Sequence, residues 1–241
     1  MNKKILCVVQ ARMGSQRLPG KSLKKVYKSL SLLELVLKRI SASKRCDKVI
    51  LATSRHENCD RLVQLGESLG TTVKRGDENN VLSRFIDVAK EYNPYAIVRV
   101  CADNPLVSHE EIDKLIDFFL SGNYDYARNN TIESGLPDGL GAEIISMDTL
   151  LKIPDLTKNP YHHEHVTSYI IENRQTYELG CLPASEELKL PWAKLDIDTQ
   201  QDLDKLRMIC KKLPDENAPF WSPLDIVETL KRIYPDSKME M

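Results

Sequence analysis

The sequence has no surplus of charge: 34 basic residues stand against 35 acidic ones, a net charge of −1. General binding to nucleic acid or to an anionic membrane wants a basic excess, so neither is expected as a global function. One focused basic pocket is still compatible with that balance. Long hydrophobic runs are also missing, and nothing approaches the ~18 apolar residues of a membrane span. The start, Met1-Asn2-Lys3-Lys4, is followed by an apolar run of about five residues, below the roughly seven to fifteen of a secretory signal. The chain is therefore expected in the cytoplasm. Six cysteines (7, 46, 59, 101, 181 and 210) form no C-x-x-C pair. Cys7 and Cys101 fall in apolar strands and read as small core residues rather than disulfides or zinc ligands. There is no internal repeat, no low-complexity tract, no G-x-G-x-x-G, and no G-x-S-x-G elbow for acyl chemistry.

What is present is an ordinary globular composition, 41% hydrophobic and 29% charged. The length allows one large α/β domain, or one domain with an added arm, and a full core. The most informative stretch is Gln10-Ala11-Arg12-Met13-Gly14-Ser15-Gln16-Arg17-Leu18-Pro19-Gly20-Lys21, directly after the apolar run Ile5–Val9. Three cations share this loop with two glycines, which let backbone N–H groups turn toward an anion. A loop just past the carboxyl end of a strand is a place to hold a polyphosphate. It is not a Walker A loop: five residues separate Gly14 from Gly20 where that motif has four, and Pro19 lacks an N–H. From the residues alone, an anion cradle and a solvated basic turn both stay open.

Strand and helix signals alternate. Strands are expected at Ile5–Val9, Lys48–Thr53, Thr71–Val73 and Tyr95–Cys101, with helices at Ser29–Ser43, His56–Leu69, Val81–Tyr92 and Ser108–Leu120. Such βαβ units imply a mainly parallel sheet whose ligand crevice lies beyond the carboxyl ends of its strands. The opening loop and the segment after Cys101 both fall there. Between about 124 and 190 the pattern loosens into short strands (Tyr124–Arg128, Ala142–Met147, Thr176–Cys181) and one helix near Glu164–Asn173. A strand at Ala193–Ile197 and helices at Gln200–Lys212 and Leu224–Tyr234 follow.

Two acidic stretches could hold a cation. Asp103, after Ala102 and before Asn104-Pro105, ends a strand where a carboxylate can bind Mg²⁺; equally, it could cap a turn. In Leu195-Asp196-Ile197-Asp198-Thr199, period-two alternation sends Asp196 and Asp198 to one side, a costly pairing without a cation nearby. Asp198 or Thr199 could also cap the next helix. The run His162-His163-Glu164-His165 puts His162 and His165 on one helix face, but lacks the roughly four ligands of a closed zinc site.

Ala11-Arg12-x-x-Ser15-x-Arg17-Leu18-Pro19-Gly20-Lys21 resembles the N-terminal signature of the CMP-sugar synthetases, the cytidylyltransferases that make CMP-3-deoxy-manno-octulosonate and CMP-acylneuraminate, and is most similar to their spore coat polysaccharide biosynthesis F branch. The resemblance implies a Rossmann-like three-layer α/β/α nucleotidyltransferase sheet, one domain over 1–241 with a small inserted dimerisation arm at about 124–190, and a homodimer. It implies that Ala11, Arg12, Met13, Gly14, Ser15, Lys21, Thr53, Ser54, Arg75 and Ala102 bind the nucleotide. Arg12 and Lys21 are the implied catalytic cations, and Asp103, Asp198 and Asp196 the Mg²⁺ ligands. Arg75, in a segment similar to the family's pocket lining, could equally be a solvated loop arginine. Leu136-Pro137-Asp138-Gly139-Leu140-Gly141-Ala142-Glu143 resembles the loop beside the acceptor sugar, which makes Glu143 an acceptor-site candidate. Glu164-His165-Val166-Thr167 resembles a stretch of the spore-coat branch and adds His165. The implied reaction is Mg²⁺-dependent transfer of CMP from CTP to the hydroxyl of a small-molecule acceptor, an acidic sugar, for surface polysaccharide or glycan synthesis. A phosphorylated or non-sugar acceptor, and a non-catalytic nucleotide-sugar binding subunit, stay open.

Overall fold

The computed structural model describes residues 3–235. Its centre is β1 (Ile5–Gln10), an uninterrupted apolar run that is buried along nearly its whole length. Burial on both faces is what a central parallel strand requires. Alternate residues serve opposite faces: Ile5, Cys7 and Val9 join one core, Leu6 and Val8 the other. Each such buried side chain contributes about 1.5–3 kcal/mol.

Around it stand β4 (Lys48–Ser54), β5 (Thr72–Gly76), β6 (Ala96–Cys101), β7 (Tyr126–Arg128), β8 (Glu143–Ser146) and β9 (Leu179–Cys181), in the order β5-β4-β1-β6-β8-β7-β9. Pairing is parallel from β5 through β6, while β8 runs antiparallel to both β6 and β7. The stretch from about 124 to 190, expected as an inserted arm, thus carries three strands of the main sheet. A small hairpin of β2 (Lys25–Tyr27) and β3 (Leu30–Ser31), absent from the sequence reading, precedes α1 (Leu32–Ile40).

One face is covered by α1, α2 (Asp60–Ser68), α4 (His109–Ser121), α8 (Gln200–Cys210) and α9 (Pro223–Ile233). The other is covered by α3 (Val81–Tyr92) and α5 (Met147–Leu156), the latter also missed. The starts are set by short polar caps: Ser31, Thr199 and Ser222 each form a reciprocal capping box with the residue three positions on.

Two expected elements differ. The 193–197 segment is not a strand. Ala193, Leu195 and Ile197 are buried in alternation, but the segment is held by an isolated bridge of two bonds with Asp138 and one bond to Asp103 rather than by a ladder. The helix expected near 164–173 divides into α6 (Pro160–Glu164) and α7 (Ser168–Glu172), because Val166 adopts φ 28° between them.

The chain goes from β1 to β4 and β5 on one side, then returns to place β6 on the other. Neighbouring loops therefore diverge at the carboxyl ends of β1 and β6, where such sheets open a crevice. Gln10 pairs with Cys101 at that edge.

Candidate functional site

A cleft of about 780 Å³ opens at this point, a size within the ordinary range for ligand pockets. The β1–α1 loop supplies Ala11, Arg12, Gly14, Ser15, Arg17 and Lys21 to its wall, the β6–α4 loop supplies Ala102 and Asp103, and Asp198 enters from the segment before α8. Lys21 and Asp198, 177 positions apart, meet here. Gly20, at φ 67°, provides the left-handed turn that sends Lys21 inward.

Lys21 is the hub. Its ammonium donates to Asp103 Oδ2 at 3.0 Å, to Asp198 Oδ1 at 3.2 Å and to the Ile197 carbonyl at 2.7 Å. Arg17 Nη2 lies 2.8 Å from the second oxygen of Asp198. Two carboxylates thus point at one spot, held apart from each other by a lysine cation. Oxygen donors of this kind fit Mg²⁺, which is commonly held by one or two carboxylates plus substrate phosphates. Among the described residues no cluster of three or more His, Cys, Asp or Glu side chains converges for a metal. Such an ion would complete its shell with waters and substrate phosphates.

Asp196 does not join this pair at the cleft wall. It pairs at 3.2 Å with Lys194, whose ammonium also lies 3.9 Å from Asp198. Burial, with Asp103 and Asp198 nearby, pushes its carboxyl above the usual range despite Lys194.

The other anticipated residues divide. Arg12 lines the cleft and pairs with Glu164 of α6 at 2.6 Å. His165 also lines it, its ring 4.4 Å from Tyr161. His162 is turned away: Nε2 meets Glu172 at 2.9 Å and Nδ1 meets Thr157 Oγ1 at 2.7 Å. Met13 is outside the cleft wall and packs against the core. Thr53 is fully buried in β4 with its hydroxyl unpaired. Ser54 acts one step back, donating to Glu78 Oε2 at 2.8 Å. Arg75 is turned out of the cleft, because the Ser54 and His56 carbonyls and the Asp60 carboxylate claim its guanidinium.

Glu143 is a correction of another kind. It is buried beneath the cleft and committed to Arg99, to the Tyr126 hydroxyl at 2.5 Å and to Thr167 Oγ1 at 3.1 Å. Burial alone would raise its carboxyl, but the Arg99 charge and these bonds hold it below its ordinary value. Its carboxylate oxygens are taken up by Arg99, Tyr126 and Thr167 rather than presented to the cleft. Arg99 lines the cleft and also donates to Gln10 Oε1 at 3.0 Å.

Sequence reasoning missed Arg99, Glu78, Arg84 and Glu164 as site residues. Arg99 carried a signal, a lone charge inside the apolar strand Ala96–Cys101. Glu78 and Arg84 lie in the 74–85 segment that resembles the family's pocket lining, but the resemblance singles out only Arg75 there. Cys101, expected in the core, is only half-buried and reaches the cleft wall. Desolvation pushes its thiol up to about 12, which disfavours the thiolate form.

Comparison with known proteins gives a family match, Cytidylyltransferase, over residues 6–229. The chain is 32% identical over 241 residues to the Spore coat polysaccharide biosynthesis protein SpsF of Bacillus subtilis, covering 98% of this chain and 97% of that one. It is 40% identical over 199 residues to an uncharacterized protein of Methanocaldococcus jannaschii, with 83% and 80% covered. A cytidylyltransferase structure from Leptospira borgpetersenii superposes with a TM-score of 0.88 at 28% identity, covering 99% of each chain.

Proposed function

The chain belongs to the cytidylyltransferase family, and from that premise we propose that it transfers CMP from CTP to a hydroxyl of an acidic sugar, with Mg²⁺, for polysaccharide synthesis, acting as a cytoplasmic homodimer. The observation that carries the reading is the placement of Lys21 between Asp103 and Asp198, on a cleft floor shared with Arg12 and Arg17. A basic loop facing a carboxylate pair suits a triphosphate and its divalent ion; a simple anion site would not keep the acids.

The acceptor hydroxyl oxygen attacks the α-phosphorus of CTP. A new phosphorus–oxygen bond forms there, the bond to the bridging oxygen breaks, and pyrophosphate leaves with that electron pair; the hydroxyl proton passes to solvent. Asp103 and Asp198 would hold Mg²⁺, which neutralises phosphate charge and lowers the pKa of a bound hydroxyl. Lys21, Arg12 and Arg17 are placed to exchange their carboxylate partners for phosphate oxygens. Fixed cations of this sort typically contribute several kcal/mol at a charged transition state. No protein nucleophile is needed, since phosphoryl chemistry rests on positioning and electrostatics.

The test is pyrophosphate release from each of the four nucleoside triphosphates, with and without Mg²⁺, across a panel of acidic, neutral and phosphorylated sugars. Release from CTP alone, dependent on Mg²⁺ and on an acidic sugar, is the expected result. Equal release from all four triphosphates, or release only with a phosphorylated acceptor, would overturn it.

A further inference from the structure

The flank of the cleft built by the loop after β5 and the start of α3 has the makings of a base pocket. Val81, buried, offers an apolar wall there. Glu78, in the loop between β5 and α3, lines the same flank with a half-buried side chain. Its backbone is fixed: Arg84 Nη2 donates to the Glu78 carbonyl at 3.0 Å and Arg12 Nη1 to the same oxygen at 3.5 Å. Its carboxylate is fixed as well, because Ser54 Oγ donates to Oε2 at 2.8 Å. The other oxygen, Oε1, abuts the phosphate-loop backbone so closely that a Cβ on Gly14 would come within 2.8 Å of it. No hydrogen bond from the described residues ends on Oε1.

A carboxylate can only accept hydrogen bonds. Cytosine carries an exocyclic amine, a donor, where uracil carries a carbonyl, an acceptor; Glu and Asp are suited to receive from that amine. We propose that Glu78 selects cytosine over uracil by accepting from its 4-amino group, with Ser54 as the positioning residue that holds the carboxylate in place. The proposal rests on reading the chain as a CTP-using enzyme, and it accounts for the base preference, for which the sequence offered no residue. Preorganisation matters, since an acceptor already fixed loses little entropy on binding. Uracil would set its carbonyl against a charged acceptor, and an unmatched polar pair in a built site is strongly rejected.

The experiment is calorimetric titration of CTP and of UTP, each with Mg²⁺, into the wild-type chain, Glu78→Gln and Ser54→Ala. The wild type should prefer CTP by about tenfold or more. In Glu78→Gln the amide can present either its oxygen or its NH₂, so the preference should fall by roughly tenfold toward unity. Ser54→Ala should lower the ratio less, at an unchanged melting temperature, a pattern that a purely structural role would not give. Should Glu78→Gln not fold, Gly14→Ala replaces it: the added methyl pushes Oε1 aside and should likewise erode the ratio. A Glu78→Gln variant with the wild-type ratio overturns the assignment while leaving the CTP reading intact. A wild type that binds both nucleotides alike, or neither, overturns the CTP reading itself and the assignment with it.

Discussion

Lys21 is one ammonium shared by three acceptors: Asp103, Asp198 and the Ile197 carbonyl. Without it, the two carboxylates face each other with Arg17, and Lys194 at 3.9 Å from Asp198, left to offset them. Lys21→Ala should therefore have two opposite effects. Affinity for CTP should fall by about tenfold or more, because a phosphate-facing cation is gone. Affinity for Mn²⁺ in the absence of nucleotide should rise, because the internal competitor for the acids is gone. Calorimetry with each ligand reads both, and a loss of affinity for the metal would refute the competition. Asp103 and Asp198 stand at the ends of apolar runs, but the residues alone leave a turn or a helix cap open for each; the family resemblance singles out both of them and Lys21. For Glu78 and Arg84 only the segment around them was legible, by resemblance; which of its charges faces the cleft depends on the loop that lies opposite, and no local pattern encodes that. Arg75 misled for the same reason: a loop arginine reads alike whether it faces a ligand or the carbonyls of the neighbouring strand.

Among the elements, β8 has the most influence on the site from outside it. It brings Glu143 opposite Arg99 of β6, and the pair is closed by Tyr126 from β7 and Thr167 just before α7. Four elements thus hold one guanidinium at the cleft floor. Glu143→Gln leaves the Arg99 charge buried without its partner, and should cost about 3–5 kcal/mol of stability at neutral pH. The pH dependence has a definite sign. The folded carboxyl titrates below its ordinary value of 4.5, so the folded state binds its proton less readily than the unfolded chain. The pair's contribution is then present above about pH 4.5 and is lost as pH falls through the depressed folded value. Urea melts from pH 7 downward should show a shallower acid slope in the variant than in the wild type. Equal stability of the two at pH 7 would contradict the role given to the pair. Here the sequence was partly legible: the alternation at 193–197 predicts burial correctly, but burial without a ladder cannot be told from a strand by periodicity. The break at Val166 had no forewarning, because positive φ at a β-branched residue runs against local preference and is imposed by tertiary packing.

For the whole molecule, the strand order decides where chemistry can happen. Long apolar strands alternating with amphipathic helices specified the parallel half of the sheet, and with it a crevice beyond the strand ends. The half from 124 to 190 reads as three short strands at about the right places, but as an inserted arm instead of part of the main sheet, since three- and four-residue strands carry too little periodicity to show what they pair with. The reversal of order beside β1 is what lets a basic loop and two carboxylates, far apart in sequence, face one another. The most direct measurement of that arrangement is a crystal structure with CTP and Mn²⁺, the metal located by its anomalous signal. The expected map has the metal against Asp103 and Asp198, the triphosphate along the Arg12–Lys21 loop, and Lys21 moved from the carboxylates to phosphate oxygens. A triphosphate bound elsewhere, or a metal that touches neither aspartate, would contradict the account.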